Sequence, residues 1–231
     1  MPGHAPAGTG TARARRLLVC GVVAGPLWVV SVAVQALTRP GFSLTRSPAS
    51  TLDLGPWGWV QVATFIVTGV LIIAAGAGMR RGVPDGLGHR WIPRLLAVIG
   101  AGTIGGGLFH PDPAGGYPPG TPAGAGAVAS WHGVLHAVCG ATAFIAMVAV
   151  CLVFARRFAA RGRRGLAACS RIAAVLVAAG AATASAPHGS LNLYAGVSIA
   201  FLWIAAAITW ILTAARPALP AVSDAPAVAG R

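Results

Sequence analysis

Six apolar stretches, at roughly residues 17–37, 57–79, 91–109, 131–155, 167–186 and 195–214, decide what this chain can fold into. Crossing the hydrocarbon core of a bilayer, about 30 Å, takes about 20 residues of helix, and each stretch has that length. Together they use more than half of the 231 residues, which leaves no room for a water-soluble domain. Only 9% of the residues are charged, against about 25% in a soluble domain. The period-two alternation of an outer-membrane barrel is absent, whereas a helix satisfies every backbone polar group internally, as lipid demands. The expected fold is an all-α membrane protein, a six-transmembrane-helix bundle. Residues 1–16 read as a disordered basic N-tail and residues 215–231 as a disordered C-tail. The first apolar run follows Arg15-Arg16, but it is longer than a signal-peptide core and reads as a true span.

Charge placement predicts the orientation. The chain has no lysine and no glutamate, so its 17 basic residues are all arginine and its four acids are Asp53, Asp85, Asp112 and Asp224. Arg13, Arg15 and Arg16 precede the first span. Arg80, Arg81, Arg90 and Arg94 bracket the turn between spans 2 and 3, and Arg156, Arg157, Arg161, Arg163 and Arg164 fill the next turn on that side. The opposite side holds only Arg39 and Arg46. By the positive-inside bias both termini are expected in the cytoplasm. The same placement accounts for the net charge of +13: the arginines face anionic lipid headgroups, and nucleic acid is not an expected partner. The spans and arginine placement suit a multi-pass protein of the plasma membrane, and the absence of lysine and glutamate suggests a high-GC actinobacterial source.

Cys20, Cys139, Cys151 and Cys169 lie inside spans or at their inner ends, without C-x-x-C spacing, and read as packing residues. Gly21 with Gly25, and Gly102 with Gly106, are four apart and would let helix backbones approach closely. Trp57, Trp59 and Trp131 form an aromatic belt at one boundary, Trp91 and Trp210 at the other.

Polar residues collect at the expected outer end. Four of the six histidines, His110, His132, His136 and His188, map there with Asp53 and Asp112. So do Gln35, Arg39, Arg46, Gln61, Tyr117, Asn192 and Tyr194. His132 and His136 are four apart on one helix and project from the same face. His136 falls just inside the apolar layer, where an ionisable group is a functional candidate by default. Pro111 and Pro113 fix the backbone around Asp112, and that loop is expected to fold back and present Asp112 to the two histidines. Asp53, in a polar loop after Arg46, reads as a solvated ion pair, and Gln61 as a cavity-lining or helix-bonding residue.

Three chemistries compete for this cluster. A carboxylate orienting a histidine would serve proton transfer. Alternatively His132 and His136 would ligate a divalent metal, with Asp112 or His110 as third ligand. The third reading is hydrogen bonding between helices. The pair lacks the Glu of H-E-x-x-H, no second helix offers a histidine pair for haem, and no phosphate-binding loop exists. No organic cofactor is expected.

Arg39-Pro-Gly-Phe-Ser-Leu-Thr-Arg46, Gly55-Pro-Trp-Gly-Trp-Val-Gln61, Phe109-His-Pro-Asp-Pro113, Tyr117-Pro-Pro-Gly-Thr121, His132-Gly-Val-Leu-His136 and Phe154-Ala-Arg-Arg-Phe158 follow one another in that order. This series resembles the bacterial membrane family catalogued as domain of unknown function 998, over about residues 17–214. The resemblance implies six helices and no particular activity. It marks Arg39, Asp112, His132 and His136 as the polar-motif positions. The family pattern has a His before the Pro that follows Thr45-Arg46, where this chain has Ser47, so His110 reads as a compensating imidazole.

The leading expectation is a membrane-embedded enzyme acting on a small molecule by acid–base, or metal-assisted, chemistry near the outer face, within secondary metabolism. Nitrosation and cyclisation of a lipid-soluble precursor are examples that suit such a site. His132, His136 and Asp112 are the expected catalytic residues. Arg39, Arg46, Gln61, Tyr117, His110 and Asn192 are the expected substrate contacts. A small-molecule or proton-coupled transporter or self-resistance protein is the alternative, for which so small a bundle is expected to act as a homodimer, and a structural or partner-binding subunit is the third class.

Overall fold

The computed structural model describes residues 7–83, 85–122 and 129–214. The expected C-tail, with Asp224, and His4 at the other end lie outside the described residues. Six helices account for most of what is described: α1 (Ala7–Thr38), α2 (Gly58–Gly82), α3 (Trp91–Leu108), α4 (Trp131–Ala159), α5 (Arg164–Ala182) and α6 (Gly189–Ala214). All six are long and apolar enough to cross a membrane, and no strand is found among the described residues. The chain is a multi-pass, all-α bundle.

Local chemistry sets the ends. Ser130 caps α4, its side chain accepting from the Gly133 N–H at 3.0 Å. α3 stops just before His110-Pro111, where the residue preceding proline disfavours helix. The α2–α3 turn uses Gly86 and Gly88 in the left-handed region, at φ +87° and +85°.

Several boundaries differ from the sequence expectation: α4 runs on to Ala159, α5 covers Arg164–Ala182 instead of 167–186, and the starts of α1 and α6 are earlier. α1 begins at Ala7, so residues 7–16, read as part of the N-tail, are helical. Alanine and arginine favour helix there, and Ala14 is buried against Gly78 and Gly82 of α2. α6 begins at Gly189 instead of about 195. Its polar first turns are helical because Ser190, Asn192 and Tyr194 find partners on Arg46, Thr183 and Val29.

Each helix packs on its neighbours in sequence, and α6 returns against α1, closing a ring. Glycine lets the backbones touch. A Cβ on Gly69 of α2 or on Gly100 of α3 would lie 2.5 Å from the other's carbonyl oxygen, and one on Gly25 of α1 would lie 2.6 Å from that of Phe201 on α6. The α4–α5 seam alone has no described glycine in such a contact. The arginine end of the ring is filled by Met79, Ile92, Leu96, Phe154 and Phe158. Arg157 is buried there, its guanidinium donating to the Asp85 and Leu87 carbonyls of the α2–α3 turn. The other end, here the histidine end, is looser.

Candidate functional site

Two loops cover the histidine end. Residues 39–57 carry a short 3-10 helix, Ala49–Asp53, and residues 109–122 lie against them. Ser47 is buried and donates to the Gly115 carbonyl at 3.0 Å. Tyr117 packs edge-on against Phe42, 5.2 Å between ring centres. Gly115 is in the left-handed region at φ +63°, and a Cβ there would strike the Arg46 carbonyl, so the loops meet backbone to backbone.

Beneath this cover lies a cavity of about 470 Å³. Trp28, Phe65 and Phe201 form an aromatic wall, with Trp28 5.3 Å from each of the other two rings. Pro48, Ala49 and Ser50 lie over it. Its sides reach the α4–α5 seam through Ala137, Ala141 and Ile145 of α4 and Ala181 of α5. Those three α4 residues are also exposed on the bundle surface, so the cavity opens sideways where the ring has no glycine contact.

His136 is the one titratable side chain of α4 on that lining. Its Nδ1 lies 2.8 Å from the Phe109 carbonyl and 3.0 Å from that of Gly106. Carbonyls only accept, so Nδ1 must carry the hydrogen. In the neutral ring the lone pair then belongs to Nε2, which has no hydrogen-bond partner among the described residues. The unwound end of α3 thus sets the tautomer, and Nε2 is left as an acceptor or base.

The structure does not bring His132 and Asp112 to the same place. His132 lies outside the cavity, stacked on Trp131 at 3.5 Å between ring centres and near Phe109; its buried Nδ1 has no partner. The loop does fold back, as expected, but Asp112 accepts the Ser130 N–H at 3.0 Å and hydrogen-bonds neither histidine. It sits at the N-terminus of α4, where a carboxylate favours the exposed N–H groups. Among the described residues no three His, Cys, Asp or Glu side chains are placed to hold a metal ion. The ligand set of His132, His136 and Asp112, or with His110, is therefore not assembled among the described residues.

Asp53 is the larger correction. Instead of a solvated partner of Arg46, its carboxylate is fully buried and meets His110, Oδ2 to Nδ1 at 3.2 Å. Its Oδ1 has no partner. Burial pushes the carboxyl from 3.8 up to about 7, against the opposing pull of the His110 hydrogen bond and charge. The Asp53 carboxyl can therefore take up or release a proton near neutral pH. His110 is half exposed and lies next to Phe109, whose carbonyl holds His136.

The other expected contacts serve the scaffold. Gln61 is fully buried and accepts from Gln35 Nε2 at 2.7 Å. Ser31 and Thr64 bond beside them at 2.6 Å. Arg39 donates to Gln35 at 3.2 Å and to the Trp57 carbonyl at 2.5 Å. These groups form a polar ladder between α1 and α2, away from the cavity lining. Arg46 is exposed, Tyr117 is buried in the loop cover, and Asn192 bonds Thr183 at 3.3 Å. Sequence reasoning missed the aromatic wall and the Asp53–His110 pairing. The pairing had a signal: the two residues flank the α2–α3 hairpin just outside its ends, and antiparallel helices bring such flanks together.

Residues 22–218 match the family described as Protein of unknown function (DUF998). No curated protein and no solved structure matches the chain.

Proposed function

The chain belongs to this family of unknown function, and from that premise we propose that it is a membrane-embedded enzyme acting on a lipid-soluble small molecule. The substrate enters the 470 Å³ cavity from the bilayer through the α4–α5 seam, and His136 Nε2 is the general base that meets its polar end. The observation that carries this reading is an imidazole held by two carbonyls on the wall of a largely apolar cavity, whose other polar lining groups are the hydroxyls of Ser50, Thr103, Ser190 and Tyr194. A site of that kind strengthens the interaction between a base and the single polar group of its ligand, because water is scarce. Cyclisation of an apolar precursor suits this lining. Activation of a charged reagent such as nitrite suits it less, since Arg39 is committed to Gln35 and Trp57. Asp53, hydrogen-bonded to the half-exposed His110, is the nearby carboxyl able to pass the proton on toward water.

Arginine placement supports a plasma-membrane orientation with the histidine end outward and both termini in the cytoplasm. Transport ranks second, because a passage would have to open through the packed arginine end.

The test compares metabolites of a deletion strain complemented with wild type or with His136→Ala, after checking that both proteins reach the membrane and melt alike. An accumulated precursor that only the wild type converts supports the enzyme. Finished product trapped in the deletion strain supports a transporter and sinks the catalytic role of His136.

A further inference from the structure

A second hollow of about 470 Å³ lies on the outside of the ring, at the arginine end, between α2 and α3. Its mouth carries Arg80 from α2 and His89, Arg90 and Arg94 from the start of α3 and the turn before it. Its floor is apolar and shallow, made by Ala77 of α2 and Ala97 of α3 among others. The arginines are exposed, whereas Ala77 and Ala97 are half-buried in the groove. From Arg80 to Ile73, which also lines it, is about two helical turns, or about 10 Å. The hollow therefore runs from the headgroup level into the hydrocarbon layer.

None of its arginines has a counter-ion. The only ion pair among the described residues is Asp53 with His110, at the opposite end. Arg94 is held with its guanidinium 5.7 Å from the exposed Trp91 ring, a cation–π contact that orients it at the membrane boundary. His89 is likewise held, its Nδ1 3.1 Å from the Gly86 carbonyl. Three cationic groups from α2, α3 and the turn between them thus converge over an apolar trough, and Asp85, the one acid of that turn, forms no ion pair with any of them.

We propose that this groove is a binding site for one anionic phospholipid, its phosphate between Arg80, Arg90 and Arg94 and one acyl chain along Ala77 and Ala97. Charge complementarity selects the phosphate, since a basic pocket between helices at the headgroup level favours anionic over neutral lipid. The apolar floor selects a lipid over a free phosphate. The site is separate from the cavity at the histidine end and does not depend on the enzymatic reading.

The experiment uses the full chain in detergent micelles doped equally with phosphatidylglycerol and phosphatidylcholine, with retained lipid counted by native mass spectrometry. Wild type should retain phosphatidylglycerol preferentially. R80Q/R90Q/R94Q should reduce that retention by at least about tenfold, because charge-assisted hydrogen bonds from converging arginines to one phosphate are stronger than the screened attraction of scattered surface charges. R156Q/R164Q/R171Q removes three exposed arginines outside the groove and should stay within about twofold of wild type, since screened surface charges contribute little each. A97W fills the trough without changing charge and should also lower retention. Equal loss in both triple variants would mean diffuse attraction and overturn the site, as would undiminished retention in the groove triple. Glycerol phosphate binding as tightly as the lipid would also overturn it, because the acyl seat would then contribute nothing. Should either the triple or A97W lose its cooperative melt, the single changes R80Q and A77L read the same ratio.

Discussion

The Asp53 carboxylate and the His110 imidazole stand 57 positions apart in sequence and 3.2 Å apart in space, at the two open ends of the α2–α3 hairpin. One is buried and the other half exposed, so the contact links a dry carboxyl to an imidazole that water reaches. The only sequence signal of this is their position flanking the hairpin, since each sits in a loop dense with proline and glycine.

Stability in detergent should fall as pH rises across this pair. Asp53 has its folded value raised from 3.8 to about 7, so the folded protein holds the proton more tightly than the unfolded chain. Its contribution is full below about pH 4 and is lost as pH rises through about 7. Melting temperature measured over that window should decline in wild type, and D53N should remove this component. H110A takes away the group that pulls the carboxyl down, so the infrared band of the protonated acid should persist to higher pH. A band that disappears near pH 4 in wild type would refute the assignment.

Asp112 should prove to anchor the start of α4. It accepts the N–H of the cap residue Ser130 and lies beside Gly133, so D112A should cost about 1–2 kcal/mol, the usual worth of a hydrogen bond to a charged group near a helix end. Conversion of the precursor in the complementation assay should persist. A collapse of turnover without a change in unfolding would restore Asp112 to the chemistry.

Filling the side opening should mimic loss of the base. Ala141 lines the cavity and is exposed on the bundle surface, so A141F can rotate into the opening with a stability change within about 0.5 kcal/mol. Product formation should drop at least as far as in His136→Ala. Unchanged turnover would show that substrate does not use this route.

The α2–α3 contact should tolerate no side chain. A Cβ at Gly69 would sit 2.5 Å from the Gly100 carbonyl oxygen, which forces the helices apart. G69A should destabilise by about 1–3 kcal/mol. Because G100A meets the reciprocal obstacle, the double variant should cost less than the sum of the two. Reversible unfolding in mixed micelles measures both.

The six spans were legible because lipid imposes a length and a composition that no other fold satisfies. Helix ends were less so: Ser190 and Asn192 depress hydropathy yet are helical, since other loops and helix ends supply their partners. His136 was found because an imidazole in an apolar run is conspicuous. Its supposed companions were not separable from sequence, since His132 shares its helix face but is drawn to Trp131, and Asp112 is drawn to an exposed helix end. Asp53 was misread because burial of a loop residue depends on a second loop, 109–122, packing over the first. Gln61 shows the opposite case: its polarity inside a span announced a helix–helix bond, and Gln35 supplies it.

The ring order of the helices has a consequence for biogenesis. Every seam but one joins spans that leave the ribosome consecutively, so each new helix meets its lasting neighbour as it enters the lipid. Only the contact of α6 with α1 must wait for the whole chain, and Gly25 against Phe201 is the latch of that final seam. An even number of spans brings the first and last helices back to the same side of the bilayer. The seam could therefore be bridged by a short linker and the chain opened at another turn, giving a permuted protein with the same wall of helices and a different last step of assembly.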